Sequence, residues 1–151
     1  MPQAASNPTD GGRDRAYQPT IADLVDRLTI DHIKEVLLEH DKESYAKEMQ
    51  DLATDIDAII ENRGVKLSAR IIRIVIVMAQ MNLHIWHFKD QMQQEPERYS
   101  ELLTLCHQLN GIRNQMKNLL QEESGDQDQA ARHTNVSTDG LQGWDISIDV
   151  L

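Results

Sequence analysis

The side chains best equipped for chemistry fall in two stretches, Asn82-Leu-His-Ile-Trp-His-Phe-Lys-Asp90 and Cys106-His-Gln-Leu-Asn-Gly-Ile-Arg-Asn114. Both lie within apolar, helix-spaced sequence, where a buried polar group needs a partner. Asn82, Trp86, His87, Asp90, Asn110, Arg113 and Asn114 therefore form a candidate ligand-binding or structural polar cluster. His84, His87 and Cys106 supply two imidazoles and a thiolate, the donor types of a tetrahedral zinc site. The spacing argues for the plainer alternative, hydrogen-bonded histidines in a packed layer and no cofactor. His84, His87 and Asp90 do not share a strict i, i+4 face, and Cys106 and His107 point about 100° apart on a helix. A di-iron centre would need Glu-x-x-His pairs on facing helices, which the chain lacks. Arg113 sits on the apolar face of its helix and needs a counter-charge, for which Asp90 is the candidate.

These residues require helices to hold them. Ile21, Leu24, Val25, Leu28, Val36 and Leu37 recur at helical spacing behind Thr20, which with Asp23 forms a capping-box-like pair. The spacing resumes after the polar patch Glu39–Glu43 and runs to Asn62-Arg63-Gly64, a helix stop. A single helix over 21–62 would be about 60 Å long, against about 40 Å for the helices that follow. Its apolar face therefore demands either a break at 39–43 or a cover from a second copy, and self-association is expected. Leu67–Gln94 predicts a third helix, ended by Glu95-Pro96. Its apolar run is interrupted by Arg70, Arg73, Gln80, Asn82, His84 and His87, so the expectation is a central bundle helix and no membrane span. A fourth helix starts near Glu97, with Leu102, Cys106, Leu109, Ile112, Met116 and Leu120 facing inward. The fold class expected is an all-α antiparallel bundle of three or four helices over 20–122. Short turns at Gly64 and Pro96 imply that the second, third and fourth helices are antiparallel neighbours. Reflection through those turns would gather His40, Asp41, His84, His87, Cys106 and His107 in one layer.

The ends read differently. Residues 1–19 and 123–140 are polar, with Pro, Gly and acidic residues, and are expected to be disordered. In 141–151, Trp144, Ile146, Ile148 and Val150 alternate with polar residues and Leu151 follows. This pattern predicts either a docking peptide for a partner's sheet or a tail that covers the bundle itself. Asp23, Asp26 and Arg27 form one charged group at the start of the first helix. The aspartates would complement the helix dipole, or alternatively pair with Arg113 or Arg73.

Composition narrows the function classes. The chain has 151 residues and a net charge of −10, with its cations scattered, which excludes a basic nucleic-acid footprint. One cysteine excludes an intrachain disulfide and suits a reducing compartment; the amino-terminal stretch has no apolar core of a secretory signal, so the cytoplasm is expected. Phosphate-binding glycine loops and hydrolase or metalloprotease motifs are absent. Asp55–Arg63 with Glu95–Arg98 faintly resembles helical chorismate mutases, but Ala46 and Ile74 stand where those need cations. Glu48-x-x-Asp51 lacks the partner motif of helical nucleotide pyrophosphohydrolases.

Asn82-x-x-x-Trp86-His87-x-Lys89-Asp90 followed by Leu109-Asn110-x-x-Arg113-Asn114 resembles an uncharacterised bacterial family of all-helical proteins. That family carries N-x-x-x-W-H-x-E-D and L-N-x-x-R-N; the glutamate is replaced here by Lys89, which removes one carboxylate. The resemblance covers residues 81–120 and implies an accessory role beside surface-polysaccharide synthesis, with no established activity. The function expected is a non-catalytic, self-associating helical interaction protein. The alternative is a small-ligand or metal-binding bundle using His84, His87, Asp90, Asn110 and Arg113.

Overall fold

The computed structural model describes residues 19–126 and 128–147. It is all-α: helices α1 (Ile21–Leu37), α2 (Lys42–Arg63), α3 (Ala69–Gln94) and α4 (Tyr99–Glu123), with single 3-10 turns at Pro96–Arg98 and Gln129–Ala131. No strand occurs among the described residues.

Each helix end has a local cause. Thr20 and Asp23 form a complete capping box at the start of α1. The 21–62 stretch breaks as two helices: Leu38 is extended and Asp41 adopts φ +63°. Lys42 donates to the Glu35 carbonyl at 2.6 Å, covering one of the open carbonyls at the end of α1. Gly64, at φ +63°, closes α2 with Val65 N–H donating to the Ile60 carbonyl at 3.0 Å. Ser68 caps α3 by accepting from Ile71 N–H at 3.1 Å. Pro96 then stops the ladder and starts the tight turn into α4.

α1 is the centre of the arrangement. It packs on α2, α3 and α4, while α3 and α4 form the most extensive pair. Among the described residues the backbone of α2 lies close to α1 alone, while its Leu52 and Ile56 reach the shared core; this corrects the expectation that α2 and α3 are antiparallel neighbours. The connector at residues 65–68 is not helical. Extended, four residues reach about 13 Å, further than a helix–helix spacing of about 8–10 Å. A short connector therefore did not require adjacency. The six-residue layer inferred from that reflection fails with it: His40 and Asp41 are exposed in the α1–α2 turn, and His107 is exposed on α4.

The core is aliphatic and rich in methionine. Ile74, Met78, Met81, Leu102, Leu109, Met116 and Leu120 are fully buried. With one phenylalanine in the chain, the flexible thioethers of Met78, Met81 and Met116 fill space that rings fill elsewhere. α3 is also long and apolar enough, by length and composition, to cross a membrane. In this fold one of its faces packs on α1 and α4.

The opposite flank of α3 has no cover. Ile72 is 46% exposed, Ile76 57% and Val36 of α1 58%. Between the splayed helices lies an apolar groove of about 790 Å³, floored by Leu28, Ile33 and Val36 and walled by Met49 and Leu83.

The described residues after α4, 124–126 and 128–147, contain no regular element beyond one 3-10 turn, as their composition predicts. They are nonetheless laid along α4. Residues 1–18, expected to be disordered, and Ile148, Val150 and Leu151 of the expected docking segment lie outside the described residues.

Candidate functional site

The polar residues of the α1–α4 junction form one connected network. Asp26 is buried on α1. It accepts from Arg113 Nε at 2.8 Å and is joined by Arg113 Nη2 in a second contact, a bidentate fork. Asn82 of α3 donates to the same carboxylate at 2.9 Å and to the Thr29 hydroxyl at 2.8 Å. Asn110 accepts from Arg113 Nη1 at 2.9 Å. Lys117 lies 2.9 Å from Asp23 and 3.8 Å from Asp26. Two carboxylates thus face two cations, and the buried group is balanced.

Electrostatics follow from that balance. Burial pushes the Asp26 carboxyl up, but the Arg113 hydrogen bonds and charge, with help from Asn82 and Lys117, hold it below the usual range. Asp23 behaves likewise, with burial outweighed by Lys117 and the Thr20 capping bonds. Buried ion pairs of this kind contribute little net stability but penalise any wrong pairing of helices. The network pins α1, α3 and α4 in register.

The sequence offered Arg113 two partners, Asp90 and, as the alternative reading of the first helix, the Asp23–Asp26 group; the structure pairs it with Asp26. Asp90 is an exposed residue near the end of α3, whereas Asp26 faces Arg113 across the α1–α4 contact. The dipole reading of Asp23 and Asp26 is incomplete for the same reason: Asp23 caps α1 and also binds Lys117.

A second constellation runs down the outer side of α4. Gln121 donates to the Ala131 carbonyl at 3.1 Å, Asn118 to His133 at 2.9 Å and Asn114 to Asn135 at 2.8 Å. Gln115 donates to Val136 and Gln108 to Asp139, each at 2.8 Å. Asn118 also accepts from His133 N–H at 2.8 Å, so one amide reads both main-chain groups of that residue. Gln108 and Gln115 stand seven residues apart, and Asn114, Asn118 and Gln121 four and three apart, which places these amides on one side of the helix. The segment they hold runs antiparallel to α4. Gln108 to Gln121 rises about 20 Å, which the eight steps from Ala131 to Asp139 cover only as extended backbone. Gly111 lets it approach: a Cβ there would lie 2.3 Å from the Ser137 carbonyl oxygen. The strap ends on apolar anchors, Leu141, Trp144 and Ile146, packed against the core. Trp144 meets His84 edge-on at 4.8 Å.

The strap joins the ion network through His133, whose Nε2 lies 3.7 Å from Asp23. Burial, and then the Lys117 charge, hold this imidazole below its usual range.

The structure therefore divides the anticipated cluster. Asn82, Asn110 and Arg113 come together around Asp26. Asn114 turns to the strap, Trp86 is half-buried, His87 is exposed at the groove and Asp90 is exposed. His84 stacks near Phe88 at 6.2 Å and against Trp144. Cys106 is buried, and burial raises its thiol. No group of three His, Cys, Asp or Glu among the described residues converges as a ligand set. Of the tail residues, Trp144 and Ile146 cover the chain's own bundle. Sequence reasoning missed Lys117 and the amide row; a run of Gln108, Asn114, Gln115, Asn118 and Gln121 on one otherwise apolar helix was the available signal.

An opening of about 500 Å³ lies beside the network, lined by Pro19, Asp23, Asp26, Arg27, Ile30, Leu52 and Lys117 among others. The charges that border it are already paired: Lys117 with Asp23, Asp26 with Arg113 and Arg27 with Glu48. Comparison with family models, curated proteins and solved structures finds no match to this chain.

Proposed function

We propose that this protein is a non-catalytic helical interaction module that associates with a second copy of itself through the open face of α3. The observation that carries this reading is the apolar groove between α1, α2 and α3, bordered by the exposed Val36 and Leu83, with Ile72 and Ile76 about half exposed on the preceding turns of α3. An apolar surface continuous over three helices is the usual mark of an interaction site. The charged network supports the same reading from the other side. Its members satisfy one another, so binding a small ligand at Arg113 would first require Asp26 to be displaced. Sedimentation equilibrium over a range of concentrations tests the proposal. Wild type is expected to form a discrete dimer, and Ile76→Lys to raise Kd at least tenfold with helicity unchanged, since burying one large aliphatic contributes about 1.5–3 kcal/mol. A monomer at every concentration, or an oligomer indifferent to Ile76→Lys, overturns it.

A further inference from the structure

The face of α3 that borders the groove has a definite order. Ala69, Arg73, Ile76, Gln80, Leu83, His87 and Asp90 recur every three or four residues along it. Apolar side chains occupy its middle, a cation stands near its beginning and an acid near its end. Arg73 and Asp90 take part in no ion pair among the described residues. Seventeen residues of helix, about 26 Å, separate them, several Debye lengths at physiological salt, so they do not serve each other.

An isologous interface must be self-complementary under a two-fold rotation. Two copies of α3 laid antiparallel meet that condition. The rotation brings Arg73 of each copy level with Asp90 of the other when the axis passes between positions 81 and 82. Gln80 then faces Leu83 of the other copy beside the axis and Ile76 faces His87, and each α3 enters the groove that α2 leaves open beside its partner. A parallel pair would instead set Arg73 against Arg73 and Asp90 against Asp90, at like-charge repulsion twice over.

We propose that the protein dimerises by antiparallel pairing of α3 with α3 of a second copy, with Arg73 and Asp90 forming two symmetric intersubunit ion pairs. This rests on the self-association proposed above and specifies its geometry. The test is charge reversal. Arg73→Asp and Asp90→Arg each convert two attractive contacts into repulsive ones, and each is expected to raise the dimer Kd about tenfold or more. The double variant restores both contacts in an antiparallel pair and is expected to return Kd to within about threefold of wild type, a difference below 1 kcal/mol. Circular dichroism checks folding, which these surface positions should not disturb. A wild-type dimer that neither reversal weakens, or that the double variant leaves weak, overturns the antiparallel geometry while self-association stands. A monomeric wild type overturns both.

Discussion

Asp31 illustrates how a single buried acid reports on its surroundings. It lies 1% exposed on α1, one of its carboxyl oxygens has no hydrogen-bond partner, and its nearest cation, Lys34, stands 3.9 Å away. Burial first, and then the Glu48 charge, raise its pKa above the usual 3.8. A raised acid favours the folded state below the unfolded pKa, and that contribution is lost as pH rises through the folded value. Asp31→Asn removes the buried charge while keeping shape. It should therefore stabilise the protein by about 1–2 kcal/mol at pH 7. The gain should vanish near pH 3, where the carboxyl is protonated in both states. Urea melts of both proteins at the two pH values check this. Asp23 is marked in the sequence by its capping place behind Thr20, but nothing around Asp31 distinguished it from Asp26; Asp31 meets the Glu48 charge of α2 whereas Asp26 meets Arg113 of α4, and their pKa values move in opposite directions.

At the scale of elements, the strap and α4 behave as peptide and binding site in one chain. Five amide side chains hold main-chain carbonyls, so most strap side chains are free to vary, but the close approach at Gly111 is not. Gly111→Ala places a methyl where the Ser137 carbonyl lies. Overpacking of this kind costs about 1–3 kcal/mol, concentrated on residues 135–139. Amide exchange should rise along the strap while α3 and α4 stay protected, and uniform protection throughout would contradict the assignment. The irregular character of this stretch was legible from its composition, and so was the apolar alternation around Trp144. A tail covering the chain's own bundle was one of two readings of 141–151, and Leu141, Trp144 and Ile146 take it; the amide clamp on 131–139 was not legible, because hydrogen bonds to backbone carbonyls leave no side-chain signature in the bound segment.

For the whole molecule, the acid response should separate the strap from the helices. His133, depressed by burial and Lys117, favours the fold when neutral. Its contribution is complete above the unfolded value of 6.5 and is lost as pH falls below it. The groups that face it are Lys117, Arg113, Asp23 and Asp26. Asp23 and Asp26 have lowered pKa values, so their contribution persists until pH falls below 3.8 and through the folded values. The Asn118 side-chain amide resonance should shift as pH drops below 6.5, ahead of any loss of helicity. In His133→Gln that early step should be absent; its persistence would assign it to another group.

Local chemistry in the sequence determined where helices start at Thr20 and stop at Gly64 and Pro96, because a cap, a left-handed glycine and a proline act within a few residues of where they stand; the break that makes two helices of 21–62 was decided by the fold. The aliphatic and methionine core was readable for the same reason: helical periodicity marks one face whatever it meets. Which faces meet was decided only in three dimensions. α1 took the place beside α3 that a short connector suggested for α2, and this put Asp26, 87 residues away in sequence, against Arg113. Pairing over such separations depends on the assembled packing of several helices, and no local spacing encodes it.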